Sequence, residues 1–211
     1  MKLSHRQHAN LCQALSKHGV SWEQLTKKTE QIVLFGSRAA GLEGEHSDWD
    51  LLCIGNGGTS LRSPELDLIW VSPAQAQSTD WLSTELANHI AKYGIWLHGV
   101  DNWSHKARVG KSSLAKKVKA IRRDGTVLTE LWPRLAPRFR GRRALRIRRN
   151  LQRANYLRRL LPVPPTAVLD NEWARQGNRS QYLTEVANKL SVAPDLIGLI
   201  LACQGRSGEG V

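Results

Sequence analysis

A short apolar run that stops at a Gly-Ser pair, followed eleven residues on by two aspartates heading a second apolar run, constrains this chain more than any other feature. The stretch reads Ile32-Val33-Leu34-Phe35-Gly36-Ser37-Arg38, then Gly41, then Ser47-Asp48-Trp49-Asp50-Leu51-Leu52. The first run suits a buried strand, and it ends where a glycine lets the backbone turn and approach another group closely. A phosphate is the group expected there. Asp48 and Asp50 stand two apart at the head of Leu51-Leu52-Cys53-Ile54, so on an extended strand both carboxylates share one face and Trp49 takes the other. Two carboxylates so spaced suit a divalent ion, because Mg²⁺ is held by one or two carboxylates with substrate phosphates and water completing its shell. The next run, Glu65 to Val71, alternates with Leu66, Leu68 and Trp70 on one face and Asp67 on the other. Asp67 is therefore positioned to complete a triad.

In this order and spacing the segment resembles the nucleotidyltransferase superfamily typified by DNA polymerase beta, and its small stand-alone members in particular. The shared pattern is a Gly-Ser turn after a first strand, a later glycine, Ser-Asp-x-Asp-Leu on the next strand and a third aspartate on a following one. The match covers about residues 30 to 100. It implies a metal-dependent transfer of a nucleoside monophosphate from ATP or another NTP to an acceptor hydroxyl. Gly36, Ser37, Arg38 and Ser47 would grip the nucleotide, Asp48, Asp50 and Asp67 would bind Mg²⁺ or Mn²⁺, and Asp67 would also serve as base. The fold class expected is α+β: a small mixed β-sheet nucleotidyltransferase core with flanking helices, to which the chain adds a C-terminal basic helical region that the resemblance does not cover.

That basic region is read from charge alone. Of the 31 lysines and arginines, 19 lie between Lys106 and Arg159 with only Asp124 and Glu130 among them, so this segment carries +17 and the rest of the chain −4. Lys116, Lys117, Lys119, Arg122 and Arg123, then Arg142, Arg143, Arg146 and Arg149, place several cations on each helical turn. Such density is costly without anions nearby, and these residues are the candidates for nucleic-acid contact. A pocket beside them would repel the polycationic aminoglycosides that one branch of the family modifies, whereas RNA, tRNA for example, is attracted. The alternatives are a protein-modifying nucleotidyltransferase of toxin–antitoxin type, a non-catalytic nucleic-acid-binding protein on the same scaffold, and a regulator whose basic helices bind an acidic protein partner.

Cys12, Cys53 and Cys203 are widely separated and odd in number, which fits a reducing cytoplasm. No apolar run reaches the roughly 18 residues of a membrane span, so no membrane association is expected.

The pattern predicts helices over 5–18 and 21–28, the second opened by Ser21 with Gln24 as a capping box. Strands follow at about 31–35, 48–54 and 65–71, then a helix capped by Asp80 through Lys92 and a strand over 93–99. After Asn102 the pattern turns helical: 104–123, 127–132 and 141–160 are separated by Asp124-Gly125 and by Pro133 and Pro137, and the third ends at Pro162-Val163-Pro164-Pro165. Helices at 172–176, 180–190 and 194–203 precede a Gly-rich tail. The division expected is a nucleotidyltransferase domain over 1–102 and a basic helical domain over 103–211. Residues 183–197 have a helix-turn-helix rhythm, but Leu196, Ile197, Leu199, Ile200 and Leu201 leave the second helix apolar nearly all round, which predicts burial rather than base reading. His98 reads as structural, and His46, beside Ser47-Asp48, as the better candidate for a substrate contact.

Overall fold

Ser4 opens the first helix, α1 (His5–Ser16), by a reciprocal cap: its hydroxyl accepts from the Gln7 amide and the Gln7 side chain accepts from the Ser4 amide. Ser21 does the first half of this for α2 (Trp22–Lys28), accepting from the Gln24 amide at 3.0 Å. The computed structural model describes residues 3–45, 47–193 and 195–203. The expectations for His46, Pro194 and the Gly-rich tail lie outside the described residues.

The chain then runs through β1 (Thr29–Phe35), α3 (Gly36–Ala39), β2 (Trp49–Gly55), β3 (Leu61–Arg62) and β4 (Leu66–Val71). Next come α4 (Pro73–Ala76), α5 (Thr79–Leu82), α6 (Glu85–Tyr93) and β5 (Ile95–His98). The helix expected from Asp80 to Lys92 is divided in two. Ser78 caps α5 and Thr84 caps α6, each hydroxyl accepting from the amide three residues on, because Ser and Thr offer the backbone a local alternative to continued helix.

The five strands form one mixed sheet in the order β3-β4-β2-β1-β5, with β2 and β4 parallel and every other pair antiparallel. Strand alternation sorts their side chains into two cores. Ile32, Leu34, Leu51, Cys53, Leu66 and Leu68 pack with Leu11, Leu15 and Leu25 of α1 and α2. Val33, Phe35, Leu52, Ile54 and Val71 pack on the other face with Ala87 and Ile90 of α6 and with Trp103. Buried Gln31 ties β5 and the segment after it to β1: its Oε1 accepts from the indole N–H groups of Trp96 and Trp103, each at 3.2 Å, and its Nε2 donates to Asn102 Oδ1 at 2.8 Å. Contacts divide the chain into two compact units, residues 1–109 with 164–167, and 110–163 with 168–211.

The second unit is helical: α7 (Lys111–Leu131), α8 (Pro137–Arg158), α9 (Thr166–Arg175) from Val168 on, α10 (Arg179–Lys189) and α11 (Asp195–Ala202). The two helices expected on either side of Asp124-Gly125 are one. Asp124 is buried and accepts from Arg146 of α8 at 2.6 Å. A Cβ on Gly125 would fall 2.9 Å from Leu196 Cδ2, so the glycine permits close approach of α11 rather than a break. Tertiary contact has overridden propensity here. α8 likewise starts before the expected Gly141, at Pro137, whose fixed φ and missing N–H suit a first helical turn. Leu196, Ile197 and Ile200 are buried against Ile121, Leu128 and Ile147, as the apolar character of α11 predicts.

Gly125→Val is expected to lower stability by roughly 1–3 kcal/mol through overpacking against Leu196. Urea unfolding followed by far-UV circular dichroism checks this, and an unchanged midpoint would mean that α11 does not pack as closely as described.

Candidate active site

The site begins where β1 ends. Gly36 has φ +73°, in the left-handed region that a side chain disfavours, and it starts the four-residue α3. A Cβ placed there would overlap the Asp50 carboxylate, at 2.8 Å from its Cγ. The close approach expected of this glycine is thus made to Asp50 of the same chain. Gly36 keeps open the space that the carboxylate occupies.

Register brings the acids together. Asp50 lies opposite Phe35 of β1 on one side and opposite Asp67 of β4 on the other. Neighbouring strands lie about 4.8 Å apart and equivalent residues point to one face, so the two carboxyl groups stand side by side at the same end of the sheet. Asp48 immediately precedes β2, while Trp49 turns into the α1 face and is buried.

The electrostatics follow from this crowding. Burial, then the charges of Asp48 and Asp67, push the Asp50 carboxyl up to about 7, with Arg62 and Arg38 acting in the opposite sense. Arg62 is the cross-strand neighbour of Asp67, its Nε 3.9 Å from Asp67 Oδ2. Sequence reasoning overlooked Arg62, because the two-residue β3 is too short to show an alternation.

Arg38 and Ser47 build the loop that delivers Asp48. Arg38 donates from Nε to the Asp48 carbonyl at 3.0 Å and from Nη2 to the Ser47 carbonyl at 2.6 Å, and its guanidinium lies 4.3 Å from the centre of a Trp49 ring. The Ser47 hydroxyl accepts from the Gly44 amide at 2.9 Å. Ser37 sits in α3, half-buried. A cleft of about 390 Å³ lined by Asn10, Gln13, Lys17, Arg38, Ser47 and Trp49 lies on the Trp49 side of this loop and includes none of the three aspartates. His98 pairs with Ile32, midway along β1 and three residues before Phe35, which faces Asp50.

Among the described residues no three His, Cys, Asp or Glu side chains are grouped tightly enough to form a self-sufficient metal cage. Asp50 and Asp67, side by side, would supply one or two carboxylates to a Mg²⁺ ion whose remaining shell came from substrate phosphates and water. Burial and the two neighbouring acids disfavour the charged form of Asp50, and a divalent cation bound beside it would offset that cost.

In the helical unit the basic candidates divide. Arg146 is paired with Asp124, and Arg149 with Asp170, to whose Oδ1 its Nε donates at 3.1 Å. Arg122 donates to the Ser191 carbonyl at 3.2 Å, and Arg123 lies 3.6 Å from Asp124. Lys116, Lys119 and Arg142 are exposed, while Lys117 and Arg143 are half-buried. No helix among the described residues is long and apolar enough to cross a membrane.

Comparison with curated proteins finds no match. A solved structure described as a toxin-antitoxin with AMP-PNP is 19% identical over 52% of this chain and 94% of its own, with a TM-score of 0.29. The family model described as a nucleotidyltransferase domain matches residues 17–124, just over half the chain, and the span includes all five strands. The chain belongs to the nucleotidyltransferase domain family.

Proposed function

We propose that the protein transfers a nucleoside monophosphate from an NTP to the hydroxyl of an RNA acceptor, with Mg²⁺ or Mn²⁺ as the metal. The observation that carries this reading is the register of Asp50 against Asp67, beside the Gly36 turn and with Asp48 at the head of β2. Asp48 and Asp50, with Asp67 beside them, would hold the metal, which when bound supplies positive charge to the α-phosphate and favours the deprotonated acceptor oxygen. Gly36 and Ser37 receive the triphosphate. Arg38 contributes by fixing the loop that presents Asp48. The acceptor oxygen attacks the α-phosphorus, the bond from that phosphorus to the bridging oxygen of the pyrophosphate breaks, and pyrophosphate leaves. Asp67 accepts the hydroxyl proton.

The sheet unit is assigned to catalysis and the helical unit to acceptor binding. The +17 segment supports RNA, whose phosphates neutralise it. The test is incubation of the protein with Mg²⁺ and each α-labelled NTP, together with total cellular RNA and soluble protein. The D48A/D50A double mutant is resolved beside it on a gel. Labelled RNA that the mutant lacks is the expected result. Label confined to protein would replace the acceptor by a polypeptide, and no label despite tight RNA binding would favour a non-catalytic scaffold.

A further inference from the structure

The turn between α7 and α8 exposes apolar side chains in the middle of a cationic segment. Leu131 is 37% exposed and Phe139 43%. Residues 131–143 contain Arg134, Arg138, Arg140, Arg142 and Arg143 and no acid. Two of these arginines lie on aromatic rings: the Arg138 guanidinium is 4.8 Å from the Phe139 centroid, and that of Arg140 is 5.0 Å from a Trp132 ring centroid. Trp132 packs against the core of the helical unit, whereas Phe139 sits outside that core. An aromatic side chain held out of the core, with a cation along one face, gives up burial for a flat and accessible surface.

We propose that Phe139 is a stacking platform for an unpaired base of single-stranded RNA, flanked by Arg138 and Arg142 as phosphate contacts. Phe139, Arg142 and Arg143 are spaced i, i+3 and i+4 on α8, so the ring and two cations share one face. Aromatic side chains interleaved with arginine are how single strands are held, because every base offers a π-face and each is linked by a phosphate. A duplex keeps its bases stacked inside and presents only backbone and groove edges, so a ring at a helix tip gains nothing from it. An anionic membrane fits less well: one phenylalanine and one leucine are a small wedge, whereas surface helices bury a long apolar face. The proposal rests on the RNA-acceptor reading and narrows the acceptor to RNA that is single-stranded at the contact.

The experiment measures binding of the full-length protein to a fluorescein-labelled single-stranded RNA and to its blunt duplex, without NTP or divalent metal. The variants are Phe139→Ala and Phe139→Trp. Phe139→Ala is expected to weaken single-strand binding roughly 5- to 50-fold and to leave duplex binding nearly unchanged, while Phe139→Trp retains or improves it. Because no charge is removed, the slope of log K against log salt stays the same in the alanine variant. An unchanged melting temperature shows that the ring is not structural. Equal losses on single strand and duplex, or no loss on either, overturn the platform and leave the RNA acceptor standing. A wild type that binds no oligonucleotide overturns both. Binding to phosphatidylserine vesicles that Phe139→Ala abolishes, with RNA binding intact, would make the tip a membrane contact instead.

Discussion

Asp50→Asn is expected to abolish nucleotidyl transfer, by at least about 100-fold, and at the same time to raise the melting temperature of the metal-free protein at pH 8. Both effects have one origin. Asp50 is held partly buried between Asp48 and Asp67, which lifts its carboxyl from 3.8 to about 7. The folded state therefore binds more protons than the unfolded chain between about pH 4 and 7, and stability falls as pH rises through that window. Below pH 4 both states are protonated and the penalty vanishes; above pH 7 it is present in full. The shift corresponds to roughly 4 kcal/mol as an upper bound, and solvent screening of a partly exposed group reduces this to about 1–2 kcal/mol. Asparagine keeps the shape and removes the charge. The variant should melt roughly 2–8 °C higher than wild type at pH 8 and nearly level with it at pH 4. Mg²⁺ with an NTP should raise the wild-type melting temperature and not that of the variant. Scanning fluorimetry at the two pH values, with and without EDTA, measures all of this. A variant less stable than wild type at pH 8 would show that the carboxylate is not strained.

The parts of the candidate site that were legible in the sequence are its local ones. A Gly-Ser turn and an Asp-x-Asp on a strand are local patterns, written in consecutive residues, and the period of two fixes which side chains share a face. The alternation of Leu66, Leu68 and Trp70 placed Asp67 correctly with respect to its own strand. Its partner was another matter. That Asp67 stands against Asp50 depends on β2 and β4 pairing in parallel, with β3 intervening in sequence but lying at the sheet edge, and no local pattern specifies this. Arg62 was overlooked because β3, two residues long, shows no alternation of its own. Arg38 illustrates a different limit: a cation beside a Gly-Ser turn reads as a phosphate ligand, and the sequence does not show that its Nε and Nη2 also donate to carbonyls ten and nine residues away in an irregular loop. In the helical unit, Asp124 and Gly125 carry a strong local signal for a break. Burial of the acid against Arg146 and close packing of Leu196 over the glycine cancel it.

Gly36→Ala should inactivate the protein about as completely as loss of Asp50, and here stability falls as well. Two costs combine. At φ +73° the methyl group brings the left-handed penalty of about 1–2 kcal/mol. It also collides with the Asp50 carboxyl group, whose Cγ would be 2.8 Å away, so the carboxylate must rotate out or β1 and β2 must separate where Phe35 opposes Asp50. Either movement takes Asp50 from its place beside Asp67. The total expected is roughly 2–4 kcal/mol of destabilisation, with transfer reduced at least about 100-fold. A double-mutant cycle separates the terms. Asp50→Ala removes the colliding atoms, so Gly36→Ala introduced into that background should cost only the backbone penalty, leaving a coupling energy of about 1–2 kcal/mol. Additive destabilisation in the cycle would mean that Gly36 serves the turn alone. Strong coupling is the signature of a glycine kept for the space that the Asp50 carboxylate occupies.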